Sequence, residues 1–194
     1  MDRYCPFGLP QFADLPQMRE LLIKWDSWRQ GEITPTRSQV KLFHINHFLS
    51  RAMLLEMETP ADDQEPGRIN CRYVGSTFHE IYGQDFTGQN YLDVTASTER
   101  RIRSRRLFAA SDHPCIAVWG AAGENKPGGL PKAIGASMPI RPSEPTHPMQ
   151  LLHVVVELGD VAFSDFSSRE PREKVQLSNQ FALIDIGSGV PEIS

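Results

Sequence analysis

Three apolar runs crowd the second half of the chain: Cys115 to Trp119, Ala133 to Ile140 and Met149 to Leu158. Between them lie a Gly-rich stretch, Gly120 to Gly129, and a Pro-rich one, Pro142 to Pro148. Short apolar runs bounded by Gly and Pro read as strands rather than helices. Strands joined by turns, with no crossover helix, pair antiparallel. A three-stranded meander is therefore the feature that any fold of this chain has to accommodate.

The first half supplies the other layer. Met18, Leu21, Leu22, Trp25 and Trp28 recur at helical spacing over Leu15 to Gln30. Asp14 and Gln17 resemble a capping box, Pro16 suits a first turn, and Gly31 is a natural stop. Val40 to Ser50 is ambiguous between helix and strand, and Phe48 to Met57 reads as a strand. Arg68 to Val74 alternates, which places Ile69, Cys71 and Tyr73 on one face of a half-buried strand. Gly75 ends it. Thr77 and Glu80 then match a capping box that opens a short helix to Tyr82, with Gly83 as its stop. A long helix is expected from Asp93 to Ala110, with Asp93 near its start as a cap. Val175 to Ile186 is a candidate further strand. Helix, two strands, helices and three strands pack most economically as an α+β domain, an antiparallel sheet with helices on one face.

Composition narrows the class without naming a function. The chain has 194 residues, 40% hydrophobic and 23% charged, enough for one domain with its own core. We expect an N-terminal extension with the amphipathic helix (1–39), a central domain (40–160) and a C-terminal extension (161–194). No run approaches the ~20 apolar residues of a membrane helix, and the N-terminus lacks a signal pattern. Cys5, Cys71 and Cys115 are scattered and form no CxxC pair, which favours reduced thiols in the cytoplasm. A net charge of −4 speaks against DNA as a partner.

The run Ile69 to Val94, INCRYVGSTFHEIYGQDFTGQNYLDV, resembles the strand, Gly-Ser, short helix and T-G step of PAS domains; the step is carried by Gly83, Thr87, Gly88 and Asp93. With WDSWRQGEITPTR upstream (Trp25 to Arg37), the chain is similar to the stand-alone bacterial PAS-like proteins of about this length that are frequent in alphaproteobacteria. The resemblance implies a PAS-like five-stranded sheet and a sensory or regulatory module of bacterial signalling, without catalysis of its own. It names no ligand and no cofactor. It also places Tyr73, Phe78, Tyr82, Phe86, Tyr91, Phe108 and Trp119 where such a fold faces its core or a small-ligand pocket.

Other motifs point to fewer things than they first suggest. Asn70-Cys71-Arg72-Tyr73 resembles the N-C-R-F core of flavin-binding light sensors, yet it precedes the T-G step on a strand instead of following it on a helix. Cys71 is thus expected to face the core. Arg101 and Arg105 mimic an R-x-x-x-R cyclic-dinucleotide motif, but the D-x-S-x-x-G that should follow has Glu170 in place of its Gly. His44 and His47 lie three apart without further metal ligands, and no His falls in the long helix where a haem ligand would be needed. Phosphate-loop, nucleophile-elbow and zincin motifs are absent. Two surfaces are candidates for partners: Trp25 and Trp28 for a homodimer, and Arg101 with Arg105 for a signalling protein. A protein-interaction adaptor with a filled core and no ligand is the alternative to a sensor.

Overall fold

The computed structural model describes residues 5–59, 67–123, 133–158 and 175–193. Helix α1 (Pro16–Arg29) is followed by a 3-10 segment, Leu42–Arg51, and by strands β1 (Ala52–Glu58) and β2 (Arg68–Val74). Then come α2 (Ser76–Tyr82), a 3-10 turn at Tyr91–Val94, and α3 (Arg100–Asp112). Strands β3 (Ile116–Gly123), β4 (Ala133–Ile140), β5 (Gln150–Leu158) and β6 (Val175–Ile184) complete the chain. The fold is α+β, built on one open sheet of six strands in the order β2-β1-β5-β4-β3-β6, with every pairing antiparallel.

The meander is present, and β4 covers the expected residues. The expected five strands become six, because β6 adds to β3 at the edge of the sheet. Part of the C-terminal segment thus belongs to the sheet itself. The turn regions 60–66 and 124–132 and the polar segment 159–174 lie outside the described residues.

Alternation in the strands creates two cores. Ile116, Val118, Ala136, Met138, Leu152 and Val154 face one side, packed against α1 and the 3-10 segment at Leu42–Arg51. Ala117, Leu151 and Val155 face the other, with α2, the Tyr91–Val94 turn and α3 above them. Helical elements therefore cover both faces of the sheet, not one.

Helix α1 explains why the second face is covered. Its whole apolar stripe is buried, with Trp25 fully enclosed and Trp28 3% exposed. The Trp25 indole N–H donates to the Pro139 carbonyl of β4 at 3.2 Å, and that of Trp28 donates to Nδ1 of His44 at 3.2 Å. The stripe meets the chain's own sheet, which corrects the expectation that Trp25 and Trp28 present a dimer face. The capping box also fails. Leu15 is the N-cap without a side-chain hydrogen bond, and Asp14 instead takes both guanidinium donors of Arg19 at 2.7 Å. At the other end Gln30 adopts the left-handed conformation at φ 53°, ahead of Gly31.

The long helix is shorter than expected. Asn90 caps the turn at Tyr91–Val94 by accepting from the Leu92 N–H, and α3 starts only at Arg100. Thr95, Ser97 and Thr98 fall in the break, where short polar and β-branched side chains compete with helix. Asp93 is not the cap of α3. Nor does Thr77 cap α2, whose N-cap is Gly75, with no side-chain cap bond. That glycine is required: a Cβ there would stand 2.6 Å from the Ser50 backbone carbon.

Candidate functional site

The core beneath α2 and α3 differs from the other in holding a polar network. His153 of β5 points into it, between Leu151 and Val155 of the same face, and is 4% exposed. Its register partner across the β4–β5 ladder is Ser137. Ser137 Oγ lies 2.8 Å from His153 Nδ1, and the Trp119 indole N–H donates to the same oxygen at 3.2 Å. An indole nitrogen only donates. Ser137 thus accepts from Trp119 and forms a second hydrogen bond with His153, whose direction follows the imidazole tautomer.

Trp119 also stacks on the imidazole, with centroids 4.7 Å apart and planes 12° from parallel. Gly135 makes room for that ring. It is the register partner of Trp119 on β4, and a Cβ there would stand 2.6 Å from the Val154 carbonyl oxygen and 2.7 Å from the indole. Tyr91 meets the imidazole edge-on at 5.7 Å, and Phe78 closes another side at 6.5 Å. Burial, assisted by the nearby Arg103 cation, pushes the His153 pKa down to about 3. The ring is neutral at physiological pH.

Arg103 reaches the network from α3. Arg103, Leu107 and Ala110 recur at i, i+4 and i+7 and make the buried face of the helix, and Arg103 is only 5% exposed. A guanidinium N–H of Arg103 donates to the Tyr91 phenol oxygen at 2.9 Å, while its Nε is buried with no hydrogen-bond partner. Among the described residues no carboxylate lies within ion-pair distance of it. Burial opposes the charge, and the phenol oxygens of Tyr91 and Tyr82, with the more distant Glu99 carboxylate, outweigh it, so the group holds its proton more firmly than a free arginine. Burial in turn raises the Tyr91 phenol above its ordinary range, so it stays protonated.

The expected site residues divide clearly. Phe78, Tyr82, Phe86, Tyr91 and Phe108 are all buried in this core, and Trp119 packs against it half-buried. Tyr82 and Phe86 meet edge-on at 5.2 Å. Tyr73 is the exception. The β1–β2 ladder pairs Leu54 with Tyr73 but Leu55 with Cys71, so Arg72 is an extra residue on β2. That bulge turns Tyr73 to the other face; its ring is 40% exposed and its hydroxyl donates to the Leu49 carbonyl at 3.0 Å. Cys71 faces the core as expected, and burial raises its thiol pKa to about 12. Arg101 and Arg105 are on the outer face of α3, exposed, and each already engages another group. Arg103, Ser137, Gly135 and His153 were not among the expected site residues. Helix phase identifies Arg103, and strand alternation identifies His153.

The remaining histidines besides His44 are tied elsewhere: His79 to Asp85 at 3.2 Å, His47 to Glu20 at 3.4 Å, His147 to Glu144 at 3.8 Å, and His113 to the Ser188 carbonyl at 2.6 Å. Among the described residues no group of three His, Cys, Asp or Glu side chains is placed to hold a metal ion. None of the described helices is long and apolar enough to cross a membrane. Comparison of the chain with family models, with curated proteins and with solved structures finds no match. What the chain does has to be read from its own residues.

Proposed function

We propose that the chain is a PAS-like sensory or regulatory module that takes a small ligand into the core beneath α2 and α3. The observation that carries this reading is the buried polar network itself. A core whose only task is stability is better filled with apolar side chains than with a guanidinium that has no ion-paired carboxylate. Here the guanidinium, two phenols, an imidazole and an indole converge in one aromatic surround. Ligand sites have this composition, mostly apolar walls with a few placed polar groups. The Ile69 to Val94 resemblance supports the same reading, since its residues build the strand, short helix and turn expected of them.

The network favours binding over catalysis. Ser137 and His153 are within the distance of a nucleophile and its base, but a base pKa near 3 is far from the neutral value that proton transfer needs. The two buried thiols, Cys71 and Cys115, are shifted away from thiolate by burial, to about 12 and about 11.

A native mass spectrum of the freshly purified protein, set against its denatured mass, tests the reading. A non-covalent excess lost on denaturation is the expected result, and its value defines the ligand class. A protein of bare chain mass that also gains no mass or thermal stability from added small carboxylates or alcohols refutes it. An adaptor role has one observation in its favour: Ile102, 43% exposed, is flanked by Arg101 and Arg105 on the outer face of α3. Changing Arg101 and Arg105 to Glu then weakens partner capture; an unchanged partner set counts against that surface.

A further inference from the structure

Resting on the sensor reading, we infer that the ligand is a small organic anion, an aromatic or short-chain carboxylate, anchored by Arg103. The inference starts from charge balance. The Tyr91 phenol, the Cys71 thiol and the His153 imidazole are all neutral in the folded protein. The nearest acid along the chain, Glu99 at the N-cap of α3, is one turn earlier; its charge favours the Arg103 cation without pairing to it, and both its oxygens accept from the Leu177 backbone N–H of β6, at 3.1 and 3.2 Å. Arg106, the next arginine along, adds to the positive field and not to its neutralisation; its guanidinium lies 4.4 Å over the Phe181 ring of β6. Among the described residues, therefore, Arg103 brings a positive charge into the core, bonds to phenol oxygen, and has the field of Glu99 but no ion-paired carboxylate against it.

A buried cation without a counter-ion is costly, and proteins keep one where an anion arrives to complete it. A guanidinium presents a planar fork of five N–H donors that matches a carboxylate in two parallel bonds. Tyr91 and Tyr82 take hydrogen bonds from it, and the Nε–H is unpartnered. Tyr91 and His153 stand beside it, the His153 ring meeting Tyr91 edge-on at 5.7 Å. Phe78, Tyr82, Phe86 and Trp119 surround these groups with apolar rings. A cationic ligand meets repulsion here, and a neutral one leaves the charge uncompensated.

The test compares benzoate with benzamide, its uncharged counterpart, by thermal-shift and calorimetric titration at pH 7.5. For the unaltered protein we expect benzoate to raise the melting temperature and to bind at least tenfold more tightly than benzamide. In Arg103→Met, which keeps the length of the side chain and removes the charge, the benzoate response is lost and the unliganded protein melts at the same or a higher temperature. Arg103→Lys keeps the charge without the fork, and its benzoate affinity falls between the two. It serves as the second variant if the methionine form does not fold.

Equal binding of benzoate and benzamide, unchanged by Arg103→Met, overturns the anion inference and leaves the small-ligand reading standing. Absence of any response to either compound, in a protein whose native mass is that of the bare chain, overturns both.

Discussion

Neutral His153 has a measurable consequence for stability in mild acid. In the folded protein its pKa is about 3, and an unfolded histidine titrates near 6.5. Between those values the unfolded chain binds a proton that the folded chain refuses. Stability contributed by this difference is fully present above pH 6.5 and is lost as pH falls towards 3. At pH 5 the gap from the unfolded value is about 1.5 pH units, worth ~2 kcal/mol at ~1.4 kcal/mol per unit. The perturbation is His153→Gln, which keeps an acceptor for Ser137 and removes the titration. Urea unfolding at pH 7.5 and at pH 5 gives the assay. We expect the unaltered protein to lose ~2 kcal/mol more than the variant between the two conditions. Asp14, Asp85 and Asp185, whose pKa values are lowered by their hydrogen bonds, contribute equally to both proteins and cancel in the difference. Parallel losses, within ~0.5 kcal/mol, would refute the claim that His153 is buried and neutral.

Gly135→Ala should displace the Trp119 indole from His153, with a loss of ~2 kcal/mol or more and a changed near-ultraviolet circular dichroism spectrum. Trp25→Ala should cost ~3–5 kcal/mol and leave the mass by light scattering unchanged, because its ring packs on the chain's own sheet. A drop in mass would restore that ring to a subunit interface. In the folded protein a thiol reagent at pH 8 should modify the half-buried Cys5 and spare Cys71 and Cys115, which react only after denaturation. Rapid labelling of all three would contradict the packing of both strands.

How far residues alone reveal this fold depends on the kind of signal. β4 was legible to the residue because an apolar run ends at Ile140, before Arg141-Pro142. The stripe on α1 correctly marked a buried face, but amphipathicity reports that a face is covered and not what covers it. Tyr73 was misplaced because a period of two holds only until a bulge intervenes, and nothing in Arg72 or Tyr73 announces one. The arginines of α3 mislead in another way. Five in seven residues read as one solvated stripe, yet the position in phase with Leu107 and Ala110 is buried and Arg100 and Arg106 are half-buried. His153 hid inside the most strand-like run of the chain, where one polar residue among apolar ones looks like noise until its register with Ser137 is known. Gly135 matters through a ring on the neighbouring strand, a relation that only the fold supplies.

In the proposed function a ligand enters beneath α2 and α3 and not the core behind α1. Three indole N–H groups report on the two sides: Trp119 on the first, hydrogen-bonded to Ser137, and Trp25 and Trp28 on the second, hydrogen-bonded to Pro139 and His44. A nitrogen-15 correlation spectrum of the indole region, titrated with benzoate, reads all three at once. The account predicts that the Trp119 signal moves and saturates while those of Trp25 and Trp28 hold still. A spectrum in which Trp25 or Trp28 moves instead, or in which none moves at saturating benzoate, would contradict it.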